Sequence, residues 1–136
     1  MAVDKLLKIE KDGSLSFGDH TLAEKTKVED FKFKGDLLKV KTYKSMTKLE
    51  RNGMFVYESV PGTTVRNYTE AEEGVEFNLE GTGDTQVTVG LEEEKAYVVV
   101  VNGVEAGTMN TNMGGKLSFN AELGEETRAS VSIKRV

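Results

Sequence analysis

The chain has 136 residues, 38% of them apolar and 30% charged, a length that encloses one hydrophobic core and leaves no room for two. It contains no cysteine, which excludes disulfides and thiolate metal sites. The formal net charge of −5 argues against a nucleic-acid surface, which needs a basic footprint.

No stretch approaches a membrane span, so no membrane contact is expected. The opening MAVDKLLKIEKDG has only a short apolar group broken by lysines, unlike a signal peptide. The expected location is the cytoplasm, or a cell surface reached without a cleaved signal.

Leu6–Lys11, Asp12-Gly13 and Ser14–Phe17 read as a first hairpin, because Asp-Gly between alternating segments is a strong turn signal. A short helix over Val3–Glu10 competes with it, since Val3, Leu6 and Leu7 also share a helical face. Asp19 to Lys27 is a polar loop. From Val28 to Lys34 the pattern sends Phe31 and Phe33 inward and Lys32 and Lys34 outward. After Gly35-Asp36, Leu38, Val40 and Thr42 alternate with Lys39, Lys41 and Tyr43 in a strand running toward Lys48. Asn52-Gly53 turns the chain into Met54–Val60, which Pro61-Gly62 ends.

Thr63–Thr69 is β-rich. Val75, Phe77 and Leu79 then point inward against Glu76, Asn78 and Glu80. Val87, Val89 and Leu91 repeat the alternation, and Glu92 to Lys95 forms a charged gate before AYVVVVNGVEAGTMNTNMGGKLSF, residues 96–119. The four valines Val98 to Val101 leave no polar face, so this strand should be covered on both sides or lie against another molecule. Asn102-Gly103 makes a tight hairpin turn into Val104–Met109, and Asn112, Gly114 and Gly115 turn the chain again, giving a meander at the centre of the fold. Leu117, Phe119, Ala121 and Leu123 form the next inward row, and Ala129, Val131 and Ile133 close the sheet. With no sustained helical period and turn signals every eight to twelve residues or so, the prediction is an all-β fold. It is a single antiparallel β-sandwich over 1–136, jelly-roll-like, of about ten to twelve strands, with a detachable N-terminal strand over 1–11.

Charge is segregated. Residues 1–60 carry twelve Lys/Arg and ten Asp/Glu, whereas 61–136 carry six and thirteen. Lys32 to Arg51 is basic, and Glu70 to Glu94 holds nine acids and no base. Two arrangements account for this: neighbouring strands whose exposed faces neutralise each other, or head-to-tail docking of basic on acidic patches between molecules.

The segment Tyr97 to Phe119, with Y-x-V-x-V-N-G-V-x-x-G-T followed by T-N and G-K-L-S-F, resembles the small β-sandwich modules appended to bacterial polysaccharide-degrading enzymes. In those modules this hairpin is scaffold and not ligand site. Taken whole, with SFGDHTL, KVEDFKFKGDLLKVKTYKSMTKLERNGMFVYESVPGT and the C-terminal block, the chain is similar to a family of short proteins from anaerobic bacteria labelled endosialidase or endosialin-like. That label implies a glycan-acting enzyme, but no catalytic residue travels with the resemblance. A sialidase propeller needs several blades of roughly 40–50 residues, and the nearest approach to an Asp box, Lys11 to Phe17, lacks its second glycine and its tryptophan.

The residues themselves assemble no catalytic set. His20 is the one histidine, in a polar loop with neither Ser14 nor Ser16 in a nucleophile elbow. Glu92–Glu94 and Glu70, Glu72 and Glu73 read as solvated charge guarding against aggregation. Asp12, Asp19, Asp36 and Asp84 sit in turns without the spacing of a calcium loop. Gly114-Gly115-Lys116 opens a strand and lacks the phosphate-loop spacing, and Asn67-Tyr68-Thr69 fits a glycosylation sequon. The lysines of FKFKGDLLKVKTYKSMTK lie opposite Phe31 and Phe33, so aromatic and basic groups do not share a nucleic-acid-binding face.

The reading is therefore a non-enzymatic β-sandwich, with no cofactor, metal or catalytic residue, that associates with copies of itself or with a protein partner. Val98, Val99, Val100 and Val101 would meet a strand carrying Leu6, Leu7 and Ile9. The alternatives are a carbohydrate-binding or accessory module with Tyr43, Tyr57 and Tyr68 as ligand platform, and the glycan-acting enzyme of the family label.

Overall fold

The computed structural model describes residues 6–123 and 128–136. Within them the alternating segments form thirteen strands: β1 (Leu7–Ile9), β2 (Leu15–Phe17), β3 (Thr26–Phe33), β4 (Asp36–Tyr43), β5 (Met46–Arg51), β6 (Met54–Val60), β7 (Thr64–Ala71), β8 (Gly74–Glu80), β9 (Thr85–Gly90), β10 (Ala96–Val101), β11 (Val104–Asn110), β12 (Lys116–Ala121) and β13 (Arg128–Arg135). They pair antiparallel in a seven-stranded sheet, β1-β2-β7-β8-β13-β10-β11, and a six-stranded sheet, β12-β9-β6-β5-β4-β3. The inward rows of both close over one core, giving the β-sandwich that the alternation predicts. The chain changes sheet after β2, β6, β8, β9, β11 and β12, so it is wound between layers and not laid down as two separate meanders.

Two features differ from the reading of the sequence. The strand expected to run from Leu38 toward Lys48 is broken at Lys44-Ser45 into β4 and β5. Nothing in that dipeptide signals a turn. It is held from outside, by Lys44 N–H donating to Leu22 O and Gly62 N–H donating to Lys44 O. Gly62 is required there, since a Cβ on it would lie 2.0 Å from Tyr43 O.

The valine strand is not enclosed on both faces, nor does it head a central meander. β10 lies between β13 and the edge strand β11, while β12 crosses to the other sheet. Val99 is fully buried, but Val98, Val100 and Val101 are half-buried. The described part of the N-terminal segment lies in the sheet: β1 pairs with β2 from Leu7↔Phe17 to Ile9↔Leu15, and Leu6 and Leu7 are part of the core. The first hairpin thus forms as expected, with a strand and no helix over Leu7–Ile9. Val3 lies outside the described residues.

The core has an aromatic centre and a hydroxyl rim. Phe17 meets Tyr57 edge-on at 5.3 Å and Tyr68 at 5.8 Å, while Phe77 lies edge-on to Tyr57 at 5.8 Å and stacked on Tyr68 at 5.4 Å. Such pairs add about 0.5–1.5 kcal/mol each beyond the area they bury. At one end of the sandwich, Thr42, Thr47, Ser59 and Thr63 are all 0% exposed. Thr47 Oγ1 donates its one hydrogen to Thr63 O at 2.7 Å and accepts from Thr63 N–H at 3.1 Å. Its contact with Thr42 Oγ1 at 2.8 Å therefore requires Thr42 to be the donor. Thr42 in turn accepts from Asp19 N–H, and Thr63 Oγ1 bonds both Tyr57 Oη and Ser59 Oγ at 2.8 Å.

Thr47→Val keeps the shape but strands the Thr63 peptide groups and the Thr42 hydroxyl in the interior. A loss of about 2–3 kcal/mol in unfolding free energy is expected, read as a lower urea midpoint at unchanged slope. Thr88→Val removes an exposed bond to Ser118 and should change stability by under about 0.5 kcal/mol.

Candidate functional site

The outer face of the seven-stranded sheet carries the candidate site. On β8, Val75, Phe77 and Leu79 are buried and Glu76, Asn78 and Glu80 face out; on β13, Ala129, Val131 and Ile133 are buried beneath Arg128, Ser130 and Ser132. Register sets these side chains in rows. Arg66, Asn78 and Ser130 are cross-strand partners over β7, β8 and β13, and Thr69, Glu76, Ser132 and Val100 form the next row. Two hollows of about 450 and 480 Å³ lie along these rows and share Asn67, Asn78 and Ser130. Serine and asparagine are short and the flanking Arg66, Glu80 and Glu76 are long, so the face forms a groove instead of a level surface.

Asn67 reaches the groove through a bulge. Between Arg66↔Asn78 and Thr69↔Glu76, two residues of β7 oppose one of β8, and Asn67 takes φ 56°, a left-handed conformation that asparagine tolerates better than most residues. The first hairpin clamps it: Asn67 N–H donates to Ser16 Oγ at 3.1 Å, and its Nδ2 donates to Ser14 Oγ at 3.1 Å. Ser16 Oγ donates to Glu10, and that bond is the main reason the Glu10 carboxyl is held below its usual range. On the opposite flank, Asn102 Oδ1 accepts from Ser130 N–H at 2.9 Å.

Two of the groove's ion pairs are cross-strand contacts. Arg66 Nε is 2.9 Å from Glu80, and Lys134 Nζ is 3.2 Å from Glu76. The Glu80 bond, assisted by the charges of Glu10 and Asp19, raises the Arg66 guanidinium against the opposing effect of burial.

The residues singled out from sequence fall elsewhere. Of the three tyrosines expected to form a ligand platform, Tyr57 and Tyr68 are 0% and 4% exposed, in the core. Tyr43 is half-buried at the end of β4, with Lys25 Nζ 5.9 Å from its ring centre. No exposed row of tyrosines therefore forms. Counting by twos from the inward Val65 would bury Asn67 and expose Tyr68; the bulge reverses that parity. Of the self-association residues, Leu6, Leu7 and Val99 are buried and Ile9 is 48% exposed. β1 and β10 lie toward opposite flanks of the sheet, so one protomer does not bring Ile9 beside Val98, Val100 and Val101. His20 is half-buried, its Nδ1 2.8 Å from Thr64 Oγ1, and lines neither hollow.

Neutralisation between the basic and acidic segments is slight. Among the described residues, only Arg51 with Glu70 links the two; Lys27–Glu29, Lys48–Glu50 and Arg51–Asp36 are pairs within the first half. Lys27, Lys41 and Lys48 stand directly opposite one another across β3, β4 and β5, an arrangement of like charges that disfavours pairing. Lys27, with Lys39 and Lys41 behind it, holds the Glu29 carboxyl low.

Sequence reasoning assigned none of the groove residues Arg66, Asn67, Asn78, Asn102 and Ser130 to a ligand site: Asn67 was marked only as a glycosylation sequon and Asn102 only as a turn residue. Asn78 was legible as outward-facing, but so were the outward residues of every other strand. No family model matches the chain, and neither a curated protein nor a solved structure does so.

The Glu10–Ser16–Asn67 clamp predicts a pH effect. A carboxyl lowered by folding contributes stability above its unfolded pKa, and that contribution is lost as pH falls through the folded value. Ser16→Ala should return the Glu10 titration toward its ordinary range, seen by carboxyl NMR. The Asn67 amide should then exchange faster at every pH, and this variant's stability should depend less on pH on the acid side.

Proposed function

We propose that the protein is a non-catalytic binding module whose seven-stranded sheet presents its outer face to an extended polyhydroxylated chain, a glycan. The observation that carries this reading is the continuous double hollow over β7, β8 and β13, floored by Asn67, Asn78 and Ser130. Two carboxamides and a hydroxyl in one run supply donors and acceptors together, which is what vicinal hydroxyls need. No tyrosine or tryptophan stacks there, so hydrogen bonds carry the affinity. Each contributes modestly in an open groove, and binding by one copy is weak.

The carboxylates support binding over hydrolysis. Four residues of β8 at ~3.3 Å each put Glu76 and Glu80 roughly 13 Å apart, beyond the ~5–9.5 Å over which two carboxyl groups flank a glycosidic bond. Each is also tied to a cation.

A second reading, self-association, is favoured by one observation: β11 is an edge strand with Val104 70% exposed and Glu105 as its one charge. Edges of this kind accept another strand. Several linked copies would also convert a weak groove into useful avidity.

In affinity electrophoresis and NMR titration with neutral and acidic oligosaccharides, Asn78→Ala should weaken retention about tenfold, or ~1.4 kcal/mol, with unchanged stability. Ser118→Ala, on the opposite face, should do nothing. Equal retention of the two variants defeats the groove reading, and release of free sugar by the purified chain replaces it with a hydrolase. For self-association, light scattering should show more than one copy per particle at high concentration and low salt. A strict monomer there counts against the second reading.

A further inference from the structure

At the end of the sandwich where the β1–β2, β3–β4 and β5–β6 turns gather, a pocket of about 150 Å³ opens between the two sheets. At ~30 Å³ per molecule it has room for roughly five waters. Leu15 and Phe33 form its apolar wall, and Asp12, Lys34, Arg51 and Glu70 its charged one. Tyr68 also lines it, and Tyr68 Oη and Arg51 Nε are buried with no hydrogen-bond partner. Buried polar atoms are nearly always paired, so two unsatisfied donors at one pocket mark a place where a partner is missing. Burial raises the Tyr68 hydroxyl well above its ordinary range, keeping it a donor.

The charges narrow what that partner is. Arg51 gives both terminal nitrogens to Glu70, and its Nε is 3.7 Å from Asp36, so a second carboxylate still faces the guanidinium when the Glu70 bonds are released. Lys34 and Arg51 are balanced by Asp12 and Glu70, which suits a neutral guest. Asp12 receives both bonds from Ser14 on Oδ1, and these bonds hold its carboxyl low, so it stays an ionised acceptor with Oδ2 to offer. An apolar face, an acceptor and a hydroxyl donor at close quarters match one pyranose ring.

We propose that this pocket binds a single sugar ring, with Tyr68 Oη as donor to a ring hydroxyl and Asp12 as acceptor, once Arg51 swings away from Glu70. A movement is needed because Tyr68 Oη has no exposed surface, and Arg51, which lines the same pocket and is partly exposed where it pairs with Glu70, is the side chain assigned to it. Thr69 lines both this pocket and the groove, which places the ring at one end of the chain lying on the sheet. The inference rests on the glycan reading for the class of ligand, and on the pocket's own atoms for the place.

The test is NMR titration of the full chain with a panel of methyl pyranosides, alongside the oligosaccharides used for the groove. At least one pyranoside should shift the amides of Gly13, Lys34 and Tyr68. Tyr68→Phe should weaken that binding at least tenfold while the melting temperature stays the same or rises, since the hydroxyl it removes has no partner; Asp12→Asn should weaken it as well. Shifts confined to Asn78, Ser130 and Ser132 overturn the pocket and leave the groove standing. Shifts confined to the pocket leave this inference standing and remove the groove. No shift at either place, or equal binding by Tyr68→Phe, overturns the inference.

Discussion

The bonds of the Thr47 hydroxyl to both peptide groups of Thr63 are the constraint on which the rest is built. The chain enters the interior at Gly62 and Thr63, where unpaired backbone groups are costly. One side chain from β5 satisfies Thr63 from both directions. With that connection in place, Thr63 Oγ1 holds the Tyr57 hydroxyl, and the Tyr57 ring sits edge-on to Phe17 of β2 and Phe77 of β8. The residues either side of Phe77 are Glu76 and Asn78, which face the groove. A polar contact in the six-stranded sheet thus sets the height of the strand that displays the candidate site in the other.

The parts of this legible in the sequence were those governed by a period of two. The inward rows Leu38–Val40–Thr42, Val75–Phe77–Leu79, Leu117–Phe119–Ala121 and Ala129–Val131–Ile133 are all buried, and turns marked by Asp-Gly and Asn-Gly form where they were expected. What was not legible comes from contacts distant in sequence. The Lys44-Ser45 turn is imposed by Leu22 and Gly62, neither adjacent to it. Tyr68 changes face because Ser14 and Ser16 stabilise a bulge fifty or so residues later in the chain. A local pattern carries no record of either.

The valine strand was ambiguous for a related reason. A continuous apolar run states that polar residues are unnecessary on both faces, not what covers them. Here Val98 has Lys134 as its cross-strand neighbour and Val100 has Ser132; the stem of a lysine covers apolar surface while its charge stays in water. Within the chain, neighbours on the same face leave Val98, Val100 and Val101 half-buried without a second layer over them. The outcome is an open sheet face, polar over β7, β8 and β13 and more apolar at β10, where an enclosed β10 would have left no groove.

Groove and pocket then have a common origin in one inserted residue. Without the bulge, β7 would alternate regularly past Val65, turning Asn67 into the core and Tyr68 out to water. Two residues opposite one instead put Asn67 on the outer face, where it floors both hollows, and Tyr68 inside, where its ring joins the aromatic centre and its hydroxyl stops unpaired at the edge of the pocket. A regular strand would have been easier to form, and Ser14, Ser16 and the strained φ of Asn67 are all committed to avoiding one. Bulges re-aim side chains beside functional sites. This one re-aims two at once, in opposite directions, which is the strongest structural reason to treat the outer face of β7 and the cavity behind it as one functional region.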